Sequence, residues 1–250
     1  MNFLLYPFRI LYKIYFASYF IVSLVCFFPF FKFFLSKKER FPTAFKLIRI
    51  YAKLWLFFSG IFMKVKGKEN IIKNQAFIIC SNHSSFIDPA CLYSLFDEYF
   101  VFTGKQEIEK WPLFHIFYTS GMNILVDRNN RQGILKGFKR MMEVVEKGYP
   151  IAIFPEGTVS KEAPKLTDFK TGAVSLAIKN QIPIQAITFT SNWKRLQRKG
   201  MFKGKAGPGI STVIIHPAIS TLGKTKDDTD SLLAKLRSTI NEPLNELYGV

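Results

Sequence analysis

Apolar and polar positions change character near residue 60. Upstream, Tyr15 to Phe31 is free of charge and almost wholly apolar, and Ala44 to Phe58 mixes aromatic bulk with cations at helical spacing. Downstream, short β-rich runs alternate with helical stretches. The runs Ile61–Gly67, Phe77–Ser81, Tyr99–Thr103, Asn123–Asp127, Ile151–Phe154, Ile184–Thr188 and Thr212–His216 predict strands. Pro89–Phe96, Trp111–Thr119, Gln132–Lys147, Gly172–Asn180 and Thr229–Leu247 predict helices. The last carries Leu232, Leu233, Leu236, Ile240, Leu244 and Leu247 at helical spacing, with Pro243 as a predicted kink. Such alternation defines an α/β fold, a mostly parallel sheet flanked by helices on both faces. The expected organisation is an N-terminal membrane-associated helical pair over 1–60 and one globular domain over 61–250. At ~190 residues that domain buries a core without staples.

The first apolar run has Arg9 and Lys13 before it and Lys32, Lys37, Lys38 and Arg40 after it. It sits at the short end of the ~17–25 residues that cross a bilayer, and Pro29 falls inside it. Three placements stay open: a thin span, a dip into one leaflet, and burial in the interface. A cleaved signal peptide is disfavoured, because Phe30 to Phe34 is bulky where a small-residue site is needed. In the second helix Lys46, Arg49 and Lys53 share a face, beside Phe45, Ile48, Trp55, Leu56 and Phe58. That pattern suits a helix in the headgroup layer, and equally a core helix with snorkelling cations.

Charge adds a partner class. The chain has 35 basic against 18 acidic residues, a formal net charge of +17, and 27 phenylalanines. An anionic partner is implied. Lys194, Arg195, Arg198, Lys199, Lys203 and Lys205 form a basic cluster that raises nucleic acid as one possibility. No nucleic-acid module accompanies it, so an anionic membrane surface is the expected partner and nucleic acid is not. Cys26, Cys80 and Cys91 are odd in number and scattered, which argues against a disulfide scaffold or a zinc site. Cys80, at the end of an apolar run, reads as a buried structural thiol. His115 reads as a packed or capping residue and His216 as a strand terminus; no metal is expected.

The candidate chemistry lies in two strand-end motifs. Asn82-His83-Ser84-Ser85-Phe86-Ile87-Asp88 follows the apolar run Phe77–Cys80 and sets a histidine and a carboxylate five positions apart. A neutral imidazole accepts a proton near pH 7, and a nearby carboxylate fixes its tautomer. A turn is needed to bring the two together, and Pro89 after Asp88 suggests that Asp88 is a helix N-cap. Phe154-Pro155-Glu156-Gly157-Thr158 closes a second apolar run and presents Glu156 and Thr158 beyond a strand end. Ligands of open α/β sheets gather outside such ends.

These motifs, in this order, resemble the glycerophospholipid acyltransferase family, in particular the 1-acyl-glycerol-3-phosphate acyltransferases. The resemblance runs from about Lys64 to His216. Gly121–Arg128 resembles the family strand that ends in an acidic-Arg pair, and Lys105 with Trp111-Pro112-Leu113-Phe114 resembles its basic residue and P-L-F stretch. Phe169-Lys170-Thr171-Gly172-Ala173 and Ile182-Pro183-Ile184 resemble the segments that follow. One position departs: Val159 stands where the family continues with Arg.

The resemblance implies a membrane-associated enzyme that moves a fatty acyl group from a thioester to the free hydroxyl of 1-acyl-glycerol 3-phosphate, giving phosphatidic acid in phospholipid synthesis. The donor is acyl-coenzyme A or an acyl carrier protein, and no further cofactor is implied. His83 and Asp88 are the implied catalytic pair. Asn82, Lys105, Arg128, Glu156, Gly157, Thr158, Lys161 and Lys170 are the candidate substrate-binding residues. Backbone N–H groups from Asn82 to Ser85, or from Gly157 to Thr158, are candidate oxyanion donors. Val159 weakens the phosphate assignment, because valine lacks the guanidinium fork, and it leaves a lyso-aminolipid or another lysophospholipid open as acceptor. The expected location is the cell (inner) membrane with the active site on the cytoplasmic side. A nucleic-acid-binding protein and a catalytically silent membrane scaffold are the competing classes.

Overall fold

The computed structural model describes residues 6–250, so the first five residues of the chain lie outside the described structure. The N-terminal segment folds as two long helices. α1 (Tyr6–Leu35) extends well beyond the uncharged run at both ends and carries Pro29 inside it. Its 30 residues reach ~45 Å, more than a hydrocarbon core needs. A short turn leads into α2 (Phe41–Phe58), where Pro42 occupies the first turn and so removes no helical hydrogen bond. α2 buries Phe41, Ala44, Phe45, Ile48, Tyr51, Ala52, Trp55 and Leu56, a stripe at three- and four-residue intervals. Of its cations, Arg49 pairs with Asp97, whereas Lys46 and Lys53 are exposed.

Seven strands follow: β1 (Ile61–Lys66), β2 (Ile78–Ser81), β3 (Val101–Lys105), β4 (Ile124–Val126), β5 (Ile151–Ile153), β6 (Ile184–Phe189) and β7 (Gly209–Ile215). They pair in the order β1-β7-β6-β2-β5-β3-β4. All pairings are parallel except β6 with β7, so β1 and β7 run opposite to the rest. This reversal has a spatial effect. The amino ends of β1 and β7, at Ile61 and Gly209, lie at the edge where the other strands terminate.

Helices α3 (Asp88–Leu95), α4 (Ile116–Thr119), α5 (Arg131–Glu146), α6 (Gly172–Asn180), α7 (Asn192–Arg195) and α8 (Thr229–Tyr248) complete the chain. Two cores result, one on each face of the sheet. On one face α1, α2 and α3 bury Phe31, Phe45, Trp55 and Leu92 against Ile79, Phe102 and Phe189. Phe45 alone packs on the rings of Tyr93, Tyr99 and Phe100. On the other face α5, α6 and α8 bury Met141, Val174, Leu236 and Ile240 against Ile78, Ile124 and Ile184.

The helix expected over Trp111–Thr119 forms only at its end, as α4. Leu113 takes φ 63°, a left-handed conformation that breaks the i to i−4 ladder, and Trp111–His115 makes tight turns instead. β3 begins at Val101 rather than Tyr99, because the Tyr99 and Phe100 rings are drawn into the aromatic cluster around Phe45. α8 continues through Pro243 to Tyr248.

Candidate active site

Because β2, β3, β4, β5 and β6 share a direction, the segments that leave their carboxyl ends meet along one edge. From β2 the chain enters the turn that carries His83. The His83 imidazole Nδ1 lies 3.0 Å from Asp88 Oδ2. Asp88 is fully buried, and Oδ2 also accepts the Ser84 and Ser85 N–H groups at 2.7 and 2.8 Å. Its other oxygen accepts Asn192 Nδ2 at 2.7 Å, from the segment beyond β6. Every neighbour of the carboxylate is a donor, so Nδ1 carries the hydrogen and Nε2 keeps its lone pair. Phe154 stacks on the imidazole at 3.9 Å between ring centroids and 10° between planes, which fixes the ring about its remaining torsion.

Asp88 does not act as the expected N-cap. Ile87 precedes the first helical turn, Asp88 and Pro89 lie within it, and the carboxylate faces back onto the turn before it. The physical reason is competition: the Ser84 and Ser85 amides and the imidazole offer three donors, and the helix end offers fewer.

From β5 comes the loop that carries Glu156. The Glu156 side chain accepts the His83 N–H at 2.6 Å through Oε1, and the Thr167 N–H and hydroxyl at 2.9 and 2.8 Å through Oε2. The next turn of the same loop donates Ser160 N–H to His83 C=O at 2.7 Å. His83 is thus held at both backbone groups by the β5 loop. Burial pushes the Glu156 carboxyl above its ordinary value, and the donors from His83 and Thr167 pull it back.

Cations gather on that loop. Arg128, beyond β4, donates to Gly157 C=O at 2.7 Å, and burial lowers its guanidinium while Glu107 opposes the shift. Gly157 has φ 72°, and a Cβ there would meet Arg128 Nη1 at 2.5 Å and Lys170 Nζ at 3.5 Å, so only glycine fits between the two cations. Arg198 donates through Nη1 to Thr158 Oγ1 at 2.9 Å and to Val159 C=O at 2.7 Å. Glu156 is already engaged with His83 and Thr167, so it does not neutralise these three cations.

Several sequence-predicted residues take other places. Asn82 is buried and clamps Phe189, donating to its C=O at 3.0 Å and accepting its N–H at 2.8 Å. It continues the β2–β6 ladder past the strand end. The amides of His83, Ser84 and Ser85 are consumed by carboxylates, and that of Gly157 by Phe154 C=O at 2.9 Å, so none of them remains as an oxyanion donor. Thr158 N–H finds no acceptor among the described residues. Lys105 ends β3, next to the strand that leads to Arg128. Lys161 is exposed and bonds to no other site residue among those described.

Cys80 and Cys91 are buried and reduced, with burial pushing the Cys91 thiol up to about 12 and Cys80 higher, so neither is poised as a nucleophile. Asn192, Thr167 and Arg198 were not assigned to the site from sequence. Two of them carry a sequence signal, Asn192 in its place just past a strand and Arg198 in its place within the basic cluster.

The fold and site together define an α/β enzyme built around a carboxylate-oriented histidine, with a cation-lined loop beside it. The Acyltransferase family model matches residues 62–190, and the chain belongs to that family. A protein named 1-acyl-sn-glycerol-3-phosphate acyltransferase from Limnanthes douglasii is 33% identical over 181 residues, covering 71% of this chain and 60% of the relative. The protein of the same name from Borreliella burgdorferi is 27% identical over 205 residues, covering 82% of this chain and 80% of the relative. The crystal structure of the 1-acyl-sn-glycerophosphate (LPA) acyltransferase PlsC from Thermotoga maritima superposes with a TM-score of 0.74 at 23% identity, over 99% of this chain and 98% of that one. The mostly parallel sheet with flanking helices expected from the sequence is thus the family fold. The chain spans about 60% of the length of the Limnanthes relatives it matches.

Proposed function

We propose that this protein transfers a fatty acyl group from a thioester to the free hydroxyl of 1-acyl-glycerol 3-phosphate, giving phosphatidic acid. The single observation that carries the reading is the His83–Asp88 pair, with its ring oriented at 3.0 Å and its Nε2 left unbonded among the described residues. His83 Nε2 takes the proton of the acceptor hydroxyl as its oxygen attacks the thioester carbonyl. The tetrahedral intermediate collapses, the carbon–sulfur bond breaks, and the thiolate recovers the proton from the imidazolium. Asp88 keeps the imidazolium charge matched throughout. Thr158 N–H, which finds no acceptor among the described residues, is assigned here to the developing oxyanion.

The acceptor's phosphate is assigned to Arg128, Lys170 and Arg198 around Gly157 and Thr158. Arg198 supplies the guanidinium that Val159 lacks, which favours a phosphate monoester over the lyso-aminolipid alternative. Membrane association is supported by α1, a helix long and apolar enough to cross a bilayer, with Phe8 and Leu11 among its exposed side chains. The cytoplasmic side is proposed because thioester donors are made there, and the donor itself is acyl-coenzyme A or an acyl carrier protein.

The test is thiol release from an acyl thioester by the full chain in vesicles, with a panel of lysolipids. Transfer to 1-acyl-glycerol 3-phosphate that falls roughly 10²–10⁴-fold in His83→Ala supports the reading. Equal rates in that variant, or a preference for a lyso-aminolipid, refute it.

A further inference from the structure

The segment between α7 and β7 folds as a finger. Its base is closed by Gln197 N–H donating to Lys205 C=O at 2.8 Å and by the bridge between Leu196 and Ala206. Its tip places Met201 and Phe202 in solvent, at 43% and 66% exposure, between Lys199 and Lys203. A phenylalanine exposed to that degree beside an exposed methionine contributes nothing to the core. The finger is not loose. Lys13 of α1 donates from a buried Nζ to the carbonyls of Gly200, Met201 and Gly204 at 2.9, 2.9 and 3.1 Å, fastening the tip to the apolar N-terminal helix.

α1 also reaches the end of α2, with the Tyr12 and Tyr15 hydroxyls donating to Ser59 and Phe58 C=O, and further exposed apolar side chains lie there. Phe62 and Ile210 face each other in register on β1 and β7, both more than half exposed, and the Phe57 ring at the end of α2 lies 6.0 Å from that of Phe62. This surface sits at the sheet edge where His83 lies, a result of the reversed direction of β1 and β7. The rim is cationic: no acidic residue occurs between Ser191 and Thr225. Exposed aromatic bulk ringed by unopposed lysines complements an anionic leaflet, which offers apolar depth and negative headgroups together.

We propose that the Lys199–Lys205 finger is a lipid-inserting element of its own, distinct from the N-terminal helices. Met201 and Phe202 enter the leaflet, Lys199 and Lys203 engage anionic headgroups, and Lys13 sets the depth of the tip relative to α1. The inference deepens the proposed function and rests on it for the identity of the acceptor, but it is measured without either substrate. A failed insertion and a failed acyl transfer are therefore separate results.

An environment-sensitive fluorophore is attached to Phe202→Cys in a Cys26→Ser background; Cys80 and Cys91 are buried. On vesicles of equal parts phosphatidylglycerol and phosphatidylcholine, its emission shifts to the blue and is quenched by nitroxide on the lipid chains. The same label at Leu222, on the loop beside Gln181 at the opposite sheet edge, stays in water. Lys203→Gln lowers partitioning onto these vesicles by about fivefold, from ~1 kcal/mol per cation near the surface, and leaves binding to pure phosphatidylcholine unchanged. Met201→Ser with Phe202→Ser lowers both and keeps the thermal midpoint, because neither side chain is buried. An unquenched label at 202, wild-type partitioning in the double variant, or shielding of the label by a second copy of the chain without vesicles overturns the proposal.

Discussion

Glu156 grips the backbone of His83 and does not touch its ring: Oε1 accepts the His83 N–H at 2.6 Å, while Oε2 is held by Thr167. The carboxylate thereby ties the β5 loop to the β2 turn. Glu156→Gln retains one acceptor and turns the other end into a donor facing the Thr167 N–H and hydroxyl. A buried mismatch of that kind costs about 1–3 kcal/mol. The expected outcome is a lower urea midpoint and roughly tenfold lower kcat with KM for the acceptor little changed.

Asp88→Asn is expected to be far more damaging to turnover than to binding. The amide NH₂ would take the place either of Oδ2, facing the Ser84 and Ser85 N–H groups and the imidazole, or of Oδ1, facing the Asn192 NH₂; all are donors, and the ring would lose its fixed partner. A loss of about 10³–10⁴ in kcat is expected, by analogy with the aspartate of the serine-protease triad. Single-turnover thiol release at saturating acceptor measures it.

Arg198→Ala removes the guanidinium from Thr158 and Val159. A charged hydrogen bond of ~1.5–3 kcal/mol converts to roughly ten- to a hundredfold in KM for a phosphate-monoester acceptor. A monoacylglycerol acceptor is expected to show no such change. Val159→Arg should not rescue the variant. Val159 is buried, so an arginine there displaces packed atoms and its effect appears as lost stability in urea.

His216 gives a pH dependence to stability. Its Nε2 donates to Thr188 Oγ1 at 2.8 Å, and Thr188 passes its own hydrogen to Ile240 C=O at 3.0 Å. Burial lowers the His216 pKa from 6.5, so the unfolded chain binds this proton more readily than the folded one. The contribution is present above the unfolded value and is lost as pH falls through the folded one. Urea midpoints should therefore fall on acidification just below pH 6.5, and His216→Gln should flatten that slope.

The alternation of strands and helices was legible because a two-layered burial pattern is written locally, residue by residue. Where aromatic residues serve equally in strands and clusters, as at Tyr99 and Phe100, the boundary slipped. His83 and Asp88 were legible because a short turn joins them. The clamp made by Asn82 was not legible, since its partner Phe189 is 107 residues away and nothing near it in sequence reports the contact. Arg198 was read as part of a charged run for a similar reason: its contact with Thr158 spans 40 residues. The turn at Leu113 had no local glycine to announce a left-handed residue.

The direction of β1 and β7 has a kinetic corollary. On the proposed function and the proposed lipid insertion, the acceptor would reach His83 by lateral diffusion in two dimensions, and its effective concentration would be a mole fraction. Diluting the acceptor with inert lipid at constant bulk amount should then slow turnover, while adding more vesicles of the same composition should not.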